Sequence, residues 1–254
     1  MKENIETIIK DYVKNYHNIQ KVETKWKEPL VSFAKAEDPL FYKLKEAVSP
    51  THSMPKDFME DAKTIIAYFL PFEEFIPMSN IEGRYSSRMW AIAYTETNKL
   101  ILNLNSHIQT EINKLGYKSE LIPATHNFDT NKLISDWSHR HVAYIAGLGK
   151  FGLNNMLITE KGCCGRIGTT ITNLEIEPTE RKEKEYCLYK YNGSCKKCVK
   201  RCVNDVLTDE SFNRQKCYEM CLHNAEIYKD IGLNDVCGKC LVGVPCSFEN
   251  PVGI

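Results

Sequence analysis

Eleven cysteines stand in this 254-residue chain, none before Cys163 and nine between Cys187 and Cys246. Thiols spread evenly would read as small packing residues, whereas thiols crowded into one stretch read as metal ligands. Cys195, Cys198 and Cys202 follow a CxxCxxxC spacing with Cys187 ahead of them, and Cys237 and Cys240 form a second CxxC with Cys246 behind it. Ligands two residues apart sit on one tight turn, so their sulfurs aim at the same metal centre. Tetrahedral zinc and iron–sulfur clusters share this spacing. Zinc would take the two CxxC pairs and leave Cys187, Cys202, Cys217 and Cys246 without a role, whereas two four-iron clusters use all eight. Disulfides fit poorly. The opening MKENIETIIKDYVKNYHN is charged throughout and lacks the apolar core and cleavage site of a secretory signal, and no apolar run approaches the roughly 18 residues of a membrane span. A cytoplasmic location is therefore expected, and there thiols stay reduced.

Two-cluster ferredoxin modules use CxxCxxCxxxCP, in which three thiolates bind one cluster and the fourth crosses to the other. This chain has that logic with altered spacing, since seven residues separate Cys187 from Cys195, five separate Cys240 from Cys246, and the proline precedes the last cysteine as Pro245. The crossover rule assigns Cys187, Cys195, Cys198 and Cys246 to one 4Fe-4S cluster and Cys202, Cys217, Cys237 and Cys240 to the other. Cys221, four residues after Cys217, is left over as a substitute ligand.

The elements that must position these residues come earlier. Ile5, Ile8, Ile9, Tyr12, Val13 and Tyr16 recur at helical spacing over residues 3–16. TIIAYFL at 64–70 reads as a buried strand stopped by Pro71. A helix is expected over 100–115 with Gly116 as its stop, then a short strand near Leu121. A further helix is expected over 130–146, with Ile134, Trp137, His141 and Ile145 on one face, and IGTTITNLEI at 167–176 reads as a strand. Helices alternating with strands predict an α/β domain over 1–180, followed by a metal-organised module over 181–254 whose apolar residues are too sparse for an independent core. The 33 basic and 33 acidic residues cancel. Only Arg181 to Arg201, with eight Lys or Arg against two Glu, makes a local basic patch, either a solvated rim or a docking site for an acidic electron donor.

Beyond the cysteines, RHVAYIAGLGKFGLNNMLIT at 140–159, Gly162, the strand ending Ile171-Thr172-Asn173 and EDAKTIIAYFLPF at 60–72 resemble the epoxyqueuosine reductase family, and more distantly the reductive dehalogenases. The resemblance implies a nitroreductase-like corrinoid-binding α/β core with a two-cluster ferredoxin-like module behind it. It implies cobalamin as a cofactor besides the two 4Fe-4S clusters, and a low-potential flavodoxin or ferredoxin as donor. The corrinoid cleft is expected at Tyr94, Asp136, Arg140 and the loop carrying Gly147, Gly149, Gly152, Asn154 and Asn155. The glycines would let backbone approach a flat macrocycle closely. GLGKFG also matches a dinucleotide-binding GxGxxG, but a helix rather than a strand is expected before it.

Two departures bear on function. The family carries a catalytic aspartate in a Val-Asp-Thr-Gly segment, where gapless alignment places Leu133 here. Asp129 matches only with an insertion, so Asp136 and His139 become the candidate proton donors, with His141 read as a hydrogen-bonded core residue. The family's C-terminal helical repeats, which help hold tRNA, have no counterpart, so tRNA is an open expectation resting on the basic patch. Cys163 and Cys164 stand where the family has ordinary residues. Three function classes follow: a corrinoid-dependent reductase of a nucleoside or other small molecule, a non-catalytic electron carrier or corrinoid-reducing activase, and a cluster-stabilised binding protein.

Overall fold

The run TIIAYFLP forms a strand buried along its whole length, and the rest of the fold is laid around it. The computed structural model describes residues 1–122 and 128–253. Its elements begin with α1 (Lys2–Ile19), β1 (Leu30–Lys35), α2 (Leu40–Ala47), α3 (Pro55–Phe58), β2 (Thr64–Pro71), α4 (Phe75–Ser79), α5 (Arg88–Lys114) and β3 (Ser119–Leu121). They continue with α6 (His139–Ile145), β4 (Lys150–Phe151), β5 (Leu157–Ile158), β6 (Gly165–Thr172), α7 (Leu188–Asn192), α8 (Lys197–Lys200) and α9 (Arg214–Ile227).

Four strands form one sheet in the order β1-β2-β6-β3, and every pairing is antiparallel. The protein is therefore a mixed helix-and-sheet fold, although alternating strands and helices more often build a parallel sheet. Side chains of β2 alternate between the faces, as the period of two requires. Ile66, Tyr68 and Leu70 meet the apolar stripes of α1 and α5, whereas Ile65, Ala67 and Phe69 meet α2 and α6. In α1 the buried residues are Ile5, Ile9, Val13 and Tyr16, one helical face.

The helix expected at 100–115 ends at Lys114 but begins twelve residues earlier, at Arg88, where the Ser87 hydroxyl accepts from the Trp90 amide. The helix expected over 130–146 is only α6. Ahead of it the Asp129 carboxylate accepts from the amides of Asn131 and Lys132 and Leu133 adopts a φ of 53°, so a turn displaces the helix. Among the described residues, no helix is long and apolar enough to cross a membrane.

Candidate functional site

The eight cysteines assigned from sequence fall into two neighbouring groups. Cys187, Cys195, Cys198 and Cys246 line one cavity, closed by Leu153, Val244 and Pro245. Burial, then Cys246, Cys187 and Cys195, push the Cys198 thiol up to about 11. The second group centres on Cys240, whose thiol is raised by burial and then by Cys237, Cys217 and Cys202. Cys198 is also among the neighbours of Cys240, so the groups adjoin. Among the described residues no three His, Cys, Asp or Glu side chains gather tightly enough for a single metal ion. A four-iron cage is wider, because each thiolate binds a different iron.

Chain returns build these groups. Trp90 and Asn80 back the Cys237–Cys240 turn, Asn80 donating its side-chain amide to the Cys237 carbonyl at 2.9 Å. Cys246 is held by its carbonyl, which accepts from the Cys163 amide at 2.9 Å. Cys163 and Cys164 are both buried, and the Cys163 thiol neighbours that of Cys246. The neighbouring Cys221 thiol, and then the Arg140 guanidinium, bring Cys217 down to about 7 against its burial.

The second group opens onto a cavity of about 690 Å³. Phe151, Met156, Phe212 and Tyr218 give it apolar and aromatic walls; Arg140, Arg214, His141, Asn154, Asn155 and Asp235 are its polar groups, and Cys217 and Cys221 line one end. Arg140 faces the cavity and donates to the Asn155 carbonyl at 2.7 Å. Burial, then Arg214, lower its pKa, and Cys217 opposes them. Arg214 donates to the Leu133 carbonyl at 3.2 Å, closing the opposite wall. Asn154 reaches from this cavity to the Cys240 carbonyl at 3.4 Å.

Of the expected corrinoid cleft, the structure brings together only Arg140, Asn154 and Asn155. Tyr94 lies behind the wall, donating to Asp235 at 2.7 Å beneath the Arg166 guanidinium. Asp136 is directed away, accepting from Thr51 Oγ1 at 2.6 Å, and His139 is tied to Thr169 Oγ1 at 2.8 Å on β6. Neither candidate proton donor is among the described residues that line the cavity. The glycines also serve the fold. Gly147, at φ 80°, terminates α6: its amide bonds to the Tyr144 carbonyl and that of Leu148 to the Ala143 carbonyl, a Schellman arrangement. Gly147 and Gly149 line a separate small cavity with Tyr144, Arg181 and Tyr186, and Gly152 lines that of the first cysteine group.

The expected glycine loop forms the β4–β5 hairpin, and its Phe151, Asn154 and Asn155 line the large cavity. A Cβ on Gly149 would lie 2.1 Å from the Ile158 carbonyl oxygen of the partner strand. Gly149→Val is therefore expected to lower stability by about 1–3 kcal/mol, read as a fall in the thermal midpoint. An unchanged midpoint would contradict this packing.

Sequence reasoning left His141 in the core and missed Arg214, Phe212, Tyr218 and Asp235, which come from segments without local pattern. The His141 Nδ1 lies 2.7 Å from Ser138 Oγ and its ring 4.7 Å from that of Phe151. Burial, and then the Arg140 charge, lower its pKa to about 4. The unfolded chain, near the ordinary value of about 6.5, takes the proton first, so stability is full above that value and falls as pH drops toward 4. Because the ring is partly open to solvent, about 1–2 kcal/mol is expected, visible as a flatter stability-versus-pH profile in His141→Phe than in wild type. Parallel profiles would show that His141 is not the group responsible.

No protein-family model and no curated protein matches the chain. Among solved structures it superposes on an epoxyqueuosine reductase with a tRNA-Tyr epoxyqueuosine-modified stem loop, with a TM-score of 0.60 and 20% identity over 95% of this chain and 66% of that one. The epoxyqueuosine reductase from Streptococcus thermophilus gives 0.57 and 20%, covering 97% and 67%. A catabolic reductive dehalogenase gives 0.56 and 15%, covering 88% and 30%. The chain has the fold of these reductases and spans about two thirds of the length of the epoxyqueuosine reductases.

Proposed function

We propose that this chain, having the epoxyqueuosine reductase fold, is a cobalamin-dependent iron–sulfur oxidoreductase that carries electrons across two 4Fe-4S clusters to a corrinoid and on to a nucleoside or other small molecule. The observation that carries this reading is the cavity of about 690 Å³ opening directly onto Cys217, a member of the second of two adjoining four-thiol groups. Eight thiols in two fours suit two clusters, because each iron of a cage takes one outer thiolate.

The cavity's size and lining fit a large, partly apolar cofactor. Phe151, Met156, Phe212 and Tyr218 would hold its faces, and Arg140, Asn155 and Arg214 its polar margin. A bound corrinoid supplies low-potential cobalt as the reductant. His141, Tyr218 and Asp235 line the same space and can hold a proton there, in place of Asp136 and His139.

Of the basic patch, Lys196 is paired with Asp209, and Arg201 donates to the carbonyls of Lys239 and Ile81. Lys190, Lys197 and Lys200 remain as exposed cations for an acidic flavodoxin or ferredoxin. The epoxyqueuosine-modified tRNA stem loop in the structural neighbour extends the same reading to a nucleoside carried on RNA.

Anaerobic absorption spectra before and after adding cobalamin test the proposal. A shifted corrinoid spectrum with retained cluster absorbance is expected. Clusters without corrinoid binding would replace the reductase reading with that of an electron carrier.

A further inference from the structure

Lys239 lies inside the second CxxC, between Cys237 and Cys240, and is only 1% exposed. Its ammonium donates to the carbonyls of Asn80 at 2.9 Å and Glu82 at 2.7 Å. Among the described residues it forms no ion pair, and the Glu82 side chain belongs to an exposed residue. Two carbonyl dipoles do not neutralise a buried cation, and an ammonium without a counter-charge is among the costliest groups a protein can enclose. Arg201 lies beside it, bonded to the Lys239 carbonyl, and adds a second positive charge on the same side. Arg140 faces Cys217 from the cavity. Cations thus act on the second cysteine group at Cys217, through Arg140, and at Cys237, through Lys239. Among the described residues the cations next to the first group in sequence, Lys196 and Lys197, stand in solvent, where water and salt screen them.

From this asymmetry, and resting on the two-cluster reading above, we infer that Lys239 is the fixed counter-charge of the cluster on Cys202, Cys217, Cys237 and Cys240, and holds its reduction potential above that of the cluster on Cys187, Cys195, Cys198 and Cys246. Four thiolates give a cluster net negative charge, and one-electron reduction adds one more. A buried cation stabilises that added charge. The electron then rests at the cavity end of the relay, beside Cys217, rather than at the far cluster. Lys239 acts through the cluster, so it is a positioning residue.

The test is a redox titration of the anaerobic holoprotein, with each cluster followed by electron paramagnetic resonance. Iron in the wild-type protein is counted first, so that absence of clusters would sink the two-cluster reading itself and be distinguishable from failure of this inference. In Lys239→Met with full iron, the higher of the two potentials is expected to fall by at least a tenfold change in reduction equilibrium, about 59 mV for one electron, while the lower one holds. Full iron with both potentials unchanged overturns the inference and leaves Lys239 as a clasp on the Asn80–Glu82 loop. If Lys239→Met loses the second cluster, Lys239→Arg decides. Recovery of iron and potential by the retained charge supports the inference, and continued loss overturns it.

Discussion

Protein purified without oxygen is expected to be brown and to carry about eight iron and eight sulfide per chain. Cys198→Ala and Cys240→Ala should each remove about half of that iron, since they stand at the centres of different thiol groups. Bound zinc without sulfide would refute both the clusters and the ligand assignment. The reason to expect so large an effect is electrostatic. Burial and mutual repulsion push Cys198, Cys237 and Cys240 toward the neutral thiol, a cost that a multiply charged metal centre would offset. On the two-cluster reading the same metal holds the C-terminal segment together. Helix α9 buries only Met220 and Asn224, too little apolar surface to dock a helix of 14 residues by itself. Chelation is expected to expose α7 to α9 to protease while the sheet of β1, β2, β6 and β3 stays protected. Uniform protection after complete iron removal would show that the segment folds without its clusters.

Arg140→Glu is expected to weaken cobalamin binding by roughly 10- to 100-fold or more, with cluster absorbance unchanged. The guanidinium both lines the large cavity and braces its hairpin wall, through the Asn155 carbonyl. Loss of a charge-assisted hydrogen bond costs about 1.5–3 kcal/mol, roughly 10- to 150-fold in affinity. The introduced carboxylate would also face Cys217 and Asp235, adding negative charge beside a cluster already anionic. Anaerobic titration with cobalamin, read in the corrinoid bands, measures it. Wild-type affinity in the variant would move the corrinoid out of this cavity, and loss of cluster absorbance would assign Arg140 to the second thiol group instead.

Local spacing determined whatever depends on residues near one another in the chain. The alternation of Ile65, Ile66, Ala67 and Tyr68 dictates a strand with two buried faces, and Ile5, Ile9, Val13 and Tyr16 dictate one helical stripe, because these periods are properties of the backbone itself. The CxxC pairs likewise share a turn whatever surrounds them. The return that brings Cys246 into one cavity with Cys187, Cys195 and Cys198 belongs to the tertiary structure. So do the choice of Arg140 and His141 over Asp136 and His139 as cavity wall, and the use of Gly149 to admit a neighbouring strand. On a helix of seven residues, a small rotation decides which side chain meets a cavity and which meets the sheet. That rotation is set by contacts with β6 and the hairpin, elements distant in sequence, and no pattern within residues 136–141 encodes it.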